Sequence, residues 1–403
     1  MTGQVGISVR VPLMLDPVLA LATDLVRIPS HPGVPRQELA VASRLSEFLE
    51  QRGVAARLIE VRPGRPNLLA SIDSGRTGPH LLLCGHTDTV PPNRDSPGVG
   101  LSGAIVGDAL QGRGSVDMKG ALAAMAGALV SLQTGPGLGA GKVTLAAVID
   151  EEMESLGAEA LIEDGLRADG AIIGEPTQNL VALGHKGLEW LEIAFSGRAA
   201  HGGTPEAGVN AINAAAHFVA LVEAELVPAL QRRQHPLLGP PTINCGTISG
   251  GDQPSTVAAR CVLRVDRRSV PGESYVSLCN ELRALLDEVE RRRPGIVSEL
   301  RRMAGGMATL EHLPAVIDPA HPLARAARSA ATAVTGTAQT DLAFPAWTDA
   351  GLLSTFGSIP CVILGPGDLA VAHTPWESVP LAQVTDAVAI YRKAAQQFCG
   401  GVS

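Results

Sequence analysis

Four short, largely apolar runs punctuate the chain: His80–Cys84 (HLLLC), Val143–Ile149 (VTLAAVI), Gly170–Ile173 (GAII) and Cys361–Leu364 (CVIL). Continuous apolar runs of this length predict strands of a sheet covered on both faces. Ala-rich stretches separate them: Leu122–Leu132, Ala158–Asp164 and Leu323–Val334 have helical spacing and follow Gly or Pro. This alternation predicts an α/β fold whose sheet is mixed and mostly parallel, with helices on both faces. The middle of the chain differs. Leu188–Phe195 mixes apolar and acidic residues with partial alternation and Val257–Val265 alternates more weakly, whereas Val209–Leu230 and Tyr275–Arg291 read as helices. That mixture predicts an inserted α+β unit with one sheet face solvated. The expected organisation is a first domain at 1–180 and 311–403, interrupted by a second unit at 181–310.

With 403 residues, the chain has room for two domains, with three as an upper reading. Its 45% hydrophobic and 18% charged content is that of a globular protein. Thirty-two Lys+Arg against 40 Asp+Glu give a net charge of −8, a poor match for nucleic acid. Eleven aromatic residues (three Trp, two Tyr, six Phe) are too few for a base-stacking platform. No run of about 18 apolar residues occurs, and the N-terminal stretch is broken by Pro12, Asp16 and Pro17, so neither a membrane span nor a signal peptide is expected. The six scattered cysteines form no CxxC pair and fit reduced thiols in a cytoplasmic protein.

Chemistry-bearing residues follow each apolar run. They are Gly85-His86-Thr87-Asp88, Asp150-Glu151-Glu152, Gly174-Glu175-Pro176-Thr177, and Gly365-Pro366-Gly367 followed by Ala372-His373-Thr374-Pro375. A further acid, Asp117, lies in Gly114-Ser115-Val116-Asp117-Met118-Lys119-Gly120. Each cluster alone has a bland reading as a surface turn. Together they would converge beyond the carboxyl ends of the strands, where open α/β sheets bind ligands. Clustered carboxylates repel one another unless a cation joins them. Imidazole with carboxylate suits Zn²⁺, with Co²⁺ or Mn²⁺ as alternatives. Two histidines and several acids exceed the needs of one tetrahedral ion and fit two ions sharing a bridging carboxylate, with one acid left as general base.

GHTDTVP, GRGSVDMKG, DEEMESLG, GEPT and AHTPWESVP, in that order, resemble the co-catalytic dinuclear zinc amidohydrolases and peptidases. That family includes acetylornithine deacetylase, succinyl-diaminopimelate desuccinylase, aminoacylase and glutamate carboxypeptidase. The resemblance runs from about residue 20 to the C-terminus. It implies that His86 and Glu175 ligate one metal, Glu152 and His373 the other, and Asp117 both. It implies Glu151 as general base, activating a water between the metals, and Asp88 as the acid that orients His86. It also implies a cis peptide after Asp117.

The inserted segment resembles the family's lid, which forms its dimer interface. Gly197-Arg198-Ala199-Ala200-His201-Gly202-Gly203 matches the motif whose histidine, here His201, reaches a partner's active site to stabilise an oxyanion. Asp266–Glu273 matches the turn carrying a substrate-binding arginine. By spacing to Pro271, Arg268 is the better match and Arg267 the rival. Asn244 and Gly365 complete the substrate-binding expectations. Hinges are expected at 181–187, through Gly184 and Gly187, and at 305–314, through Gly305-Gly306. The implied activity is removal of the acyl group from an N-acyl amino acid by a homodimer. A carboxypeptidase or dipeptidase is the alternative. A non-catalytic binding protein is the remote one, disfavoured because Glu151 and all five ligand positions are present. Trp376 departs from the small polar residue expected after His-Thr-Pro.

Overall fold

The computed structural model describes residues 16–93, 98–303 and 310–400. Eight strands precede the insertion: β1 (Ala56–Arg62), β2 (Arg65–Asp73), β3 (His80–His86), β4 (Ala104–Val106), β5 (Ala109–Gln111), β6 (Lys142–Val148), β7 (Gly170–Ile173) and β8 (Ala182–His185). Four lie within it: β9 (Glu189–Ser196), β10 (Thr242–Gly250), β11 (Arg260–Arg268) and β12 (Val297–Arg302). Four follow: β13 (Ala315–Val316), β14 (Leu342–Phe344), β15 (Cys361–Ile363) and β16 (Ser378–Pro380).

The main sheet has nine strands in the order β1-β2-β6-β3-β7-β15-β8-β13, with β14 beside β8. Its centre is parallel, through β6/β3, β3/β7 and β7/β15; β1/β2, β2/β6, β15/β8 and β8/β13 are antiparallel, and β14 joins β8 in parallel. Burial on both sides explains the unbroken apolar runs. In β3, Leu81 and Leu83 enter one core, and Leu82 and Cys84 enter the opposite one. The first core is closed by the helices Gly120–Thr134, Pro322–Thr335 and Leu381–Gly400 among others, the second by Leu156–Glu163 and Ala350–Thr355. All six cysteines are free.

The insertion forms its own antiparallel sheet, β10-β11-β9-β12. Leu191, Ile193, Phe195, Leu263 and Val265 face helices Ala211–Leu221 and Tyr275–Arg292. The other face carries Trp190, Glu192, Arg264 and Arg301, the last two paired to Glu192. The first helix begins at an Asn210 cap, whose Oδ1 accepts from Ile212 and Asn213 N–H. It continues through a π turn at Val222–Leu226 to Gln231.

The lid starts later than residue 181, because β8 pairs with β13 and β15 in the main sheet. Gly184 is therefore no hinge. A Cβ there would lie 2.2 Å from the Ala315 carbonyl oxygen, so the glycine serves strand packing. Gly187 sits at the crossing, with its N–H donating to Ser269 O and its carbonyl accepting from Ser269 N–H. The expected hinge at Gly305-Gly306 lies outside the described residues. Ser115–Thr134 and Ala211–Gln231 do reach span-like length, each with a mean hydropathy of 1.3. The first is a core helix, 89% buried, and the second packs one face on the lid sheet and is 39% buried.

Candidate metal centre

Apart from Asp117, in the turn before the helix Gly120–Thr134, each site residue follows an apolar strand. β3 delivers His86 as its last residue, and Asp88 follows two positions on. The chain after β6 turns sharply at Asp150, whose φ of 72° is a left-handed value that costs a non-glycine residue energy. Arg65 holds the Asp150 carboxylate at 2.6 Å and also pairs with buried Glu38, fixing this turn. Glu151 and Glu152 follow directly. β7 leads to Glu175, and β15 leads through Gly365 to His373, which is also left-handed (φ 60°). The Asp117–Met118 peptide is cis.

These residues converge. His86 Nε2 lies 2.9 Å from Asp117 Oδ1 and 3.6 Å from Glu175 Oε1. His373 Nε2 lies 3.1 Å from both Asp117 Oδ2 and Glu152 Oε1. Asp117 thus presents one oxygen to each histidine, the arrangement expected of a bridging carboxylate. Ligand atoms of His86, Glu151 and Glu175 lie within 4.8 Å of one another, as do those of His86, Asp117 and Glu152. His86, Asp117, Glu152 and Glu175 are all nearly buried, and His373 is about half exposed at the mouth.

Among the described residues, the ion-pair partners of Asp117, Glu152 and Glu175 are histidines. The electrostatics reflect this crowding. Burial pushes the Glu151 and Glu175 carboxyls well above the usual range; the His86 charge opposes the shift at both, and Asp117 adds to it at Glu175. Burial, then Asp117, raises Glu152. Burial also acts to raise Asp117, but the contacts with His373 and His86 outweigh it and hold it well below. Contact with Asp117 and Glu152 lifts His373 to about 10. A crowded, dry set of oxygen and imidazole donors is the chemistry that divalent ions neutralise. The residues fit two ions, one on His86 and Glu175, the other on Glu152 and His373, with Asp117 between.

Asp88 meets His86 through its main chain as well as its carboxylate. His86 Nδ1 is 3.0 Å from the Asp88 main-chain oxygen and 3.5 Å from Oδ1. A carbonyl only accepts, so Nδ1 donates and Nε2 faces Asp117 and Glu175. The Asp88 carboxylate, fully buried, also accepts from the N–H groups of Glu151 and Glu152.

The lid residues stand apart within one chain. His201 is exposed at a bridge to Thr256, and its Nδ1 accepts from Gly203 N–H. Asn244 lies on β10 opposite Asp266. Neither joins the cluster of His86, Asp117 and Glu152. Arg267 is fully buried and bound to Glu273 and Glu281, a structural role. Arg268 is partly exposed, its guanidinium held by both oxygens of Asp266. Gly365 packs on the main chain carrying Glu175: a Cβ would lie 2.2 Å from Gly174 O and 2.6 Å from Glu175 O. Trp376 is 62% exposed, three residues after His373.

Sequence reasoning missed several buried charges. Glu377 and Arg113 form a buried ion pair behind Asp117, and both lie inside quoted motifs (GRGSVDMKG, AHTPWESVP). Burial lifts Asp349 to about 7; its only sequence signal is the short Thr348-Asp349-Ala350. Lys119, fully buried, donates to Ile28 O at 2.6 Å.

A lid-bearing α/β domain with this donor set defines a metal-dependent hydrolase of amide bonds. The chain belongs to peptidase family M20/M25/M40, whose family model matches residues 82–397. It is 30% identical over 370 residues to an acetylornithine deacetylase of Vibrio cholerae, covering 89% of this chain and 91% of that one. In structure it resembles an M20 family metallo-carboxypeptidase of Sulfolobus solfataricus, with a TM-score of 0.76, 20% identity, and 95% and 99% of the two chains covered. It also resembles a dinuclear metal-binding M20 peptidase of Bacillus subtilis, with a TM-score of 0.69, 15% identity, and 94% and 96% covered.

Proposed function

We propose that the protein removes the acyl group from an N-acyl amino acid, using two Zn²⁺ ions, with Co²⁺ or Mn²⁺ as alternatives. The observation that carries this reading is the convergence of five side chains fit to be ligands, Asp117 at their centre, with Glu151 beside them and outside their ion pairs. When bound, the ions supply Lewis acidity and make an attacking water more acidic. Glu151 takes the proton from that water and returns it to the leaving amine. Asp88 keeps Glu151 and Glu152 in place through their N–H groups. Arg268 exchanges Asp266 for the substrate carboxylate, which its fork can bind through two hydrogen bonds. Asn244 and the Gly365 main chain complete the substrate contacts. Exposed Trp376 offers an apolar wall for the acyl group or side chain.

His201 stabilises the oxyanion from a second copy of the chain, in a homodimer formed through the lid. Support comes from the unpaired edge of β10, exposed along most of its length, and from exposed Ile212 and Ile248 nearby. The free cysteines support a cytoplasmic location.

The peptidase and carboxypeptidase names among the structural relatives keep a dipeptide substrate as the second reading. One assay separates the two. Chelated protein is offered a panel of N-acetyl, N-succinyl and N-formyl amino acids and dipeptides, before and after Zn²⁺ or Co²⁺ is added. Metal-restored release of amine from one acyl amino acid is expected. Hydrolysis of dipeptides alone would replace deacylase by peptidase.

A further inference from the structure

Glu377, beside the centre, turns its carboxylate to main chain and to Arg113 rather than to histidine. It is fully buried, four residues after His373. Its Oε1 accepts from three consecutive-loop N–H groups: Gly114 at 2.8 Å, Val116 at 3.1 Å and Asp117 at 3.3 Å. Its Oε2 pairs with Arg113, whose other amino group donates to Asn93 at 2.7 Å. The Glu377 carbonyl in turn accepts from Gly112 N–H at 3.0 Å, and the next residue opens β16, which pairs with β5. The loop 112–117 is therefore wrapped around one side chain. Its N–H groups point inward at a single anion, the geometry of a main-chain anion nest, filled here from the far end of the chain.

The two segments joined in this way each supply a metal ligand. Asp117 ends the nest, and His373 precedes Glu377 on the other segment. The 3.1 Å contact between them spans 256 positions of sequence. Neither the cis peptide nor the left-handed His373 is fixed by local hydrogen bonds to the other ligand. Glu377 is the fully buried side chain that binds the Asp117 N–H directly while belonging to the His373 segment.

We propose that Glu377 is a positioning residue that sets Asp117 against His373 and thereby builds the metal position shared by Asp117, Glu152 and His373. It works through hydrogen bonds to main chain, and its ion pair with Arg113 is secondary. The proposal rests on the metal reading given above, and the test separates the two.

Zn²⁺ or Mn²⁺ is titrated calorimetrically into chelated wild type, Glu377→Ala, Glu377→Gln and Arg113→Met. Wild type is expected to bind two ions. In Glu377→Ala the weaker step should fall about tenfold to a hundredfold, the range for loss of an outer-sphere partner, and the stronger step should fall less. Glu377→Gln keeps an acceptor for the three N–H groups, and Arg113→Met keeps the carboxylate. Both should stay within about threefold of wild type. In metal-free protein, amide exchange over residues 112–119 should accelerate in Glu377→Ala alone. If Arg113→Met weakens binding as much as Glu377→Ala, the residue serves only a buried ion pair and the proposal fails. It fails also if Glu377→Ala binds both ions as wild type does. Should the alanine variant not fold, Glu377→Gln against Arg113→Met decides: tight binding by both upholds the nest, and loss by both overturns it. A wild type that binds no ion would overturn the metal reading itself.

Discussion

The main-chain N–H of Glu151 donates to the Asp88 carboxylate at 3.2 Å, so the residue two positions after His86 fixes the proposed base. Glu151 is thereby aimed without spending its own carboxylate on an ion pair. Glu151→Gln keeps the shape and cannot take a proton. It should retain both metals, measured by elemental analysis, while turnover falls by about 10³-fold or more. Substantial residual turnover would remove Glu151 from its role.

Asp117 presents one oxygen to each histidine. Asp117→Ala should therefore lose bound metal as well as rate. A fully metallated, active Asp117→Ala protein would refute the bridging assignment.

Action of His201 across a dimer has a distinctive signature. Homodimers of His201→Ala and of Glu151→Gln should both be nearly inactive. After denaturation and co-refolding of the two together, half of the dimers are mixed and each holds one intact site. Activity should recover to about a quarter of wild type. No recovery on mixing, with mixed dimers verified by mass, would place His201 in its own chain's chemistry or outside catalysis.

Gly365→Ala should disturb Glu175 without replacing its side chain, because the new methyl meets the main-chain oxygens of Gly174 and Glu175. A loss of about 1–3 kcal/mol in denaturant unfolding is expected, the usual range for overpacking, with weakened metal binding. Unchanged stability would show that the strand end yields more easily than its contacts imply.

Two further histidines lie away from the metal ligands. His185 is fully buried, and His312 nearly so, on either side of Trp347, with ring centroids 6.0 and 4.2 Å from it. Burial lowers both to about 4, aided by the charges of Arg268 at His185 and Arg302 at His312. A depressed histidine is neutral in the fold and protonates first in the unfolded chain. Its stabilisation is present above about pH 6.5 and is lost as pH falls towards 4. Each contributes about 3 kcal/mol to that loss. Denaturant unfolding of metal-free protein between pH 7.5 and 4 should show the slope, and His312→Gln should flatten it. An equal slope in the variant would trace acid sensitivity to other groups.

The converging acids and histidines were legible because of where they stand. His86, Glu152, Glu175 and His373 each follow an apolar run, and a buried strand end needs no distant information to be recognised. The parallel centre of the sheet was legible for the same reason. β8 was not: four residues of ALGH look like a linker until β13 and β15 pair with them. Glu377 and Arg113 sat inside quoted motifs, but their partnership spans 264 positions and no local pattern announces it. The choice between Arg267 and Arg268 turned on which side of β11 faces the helices, and Glu281 on the helix Tyr275–Arg292 claims the former.

The last-made strand of the main sheet is not at its edge. β15 enters between β7 and β8, both finished nearly 180 residues earlier. Until it is synthesised, the growing chain holds two sheet fragments with unsatisfied edges facing each other, and such edges invite pairing with other chains. The ribosome therefore releases the segment bearing β15, His373 and Glu377 into a slot that has waited open. A ribosome stalled before residue 361 would leave a product with a folded lid and no closed sheet, prone to aggregate and unable to hold metal.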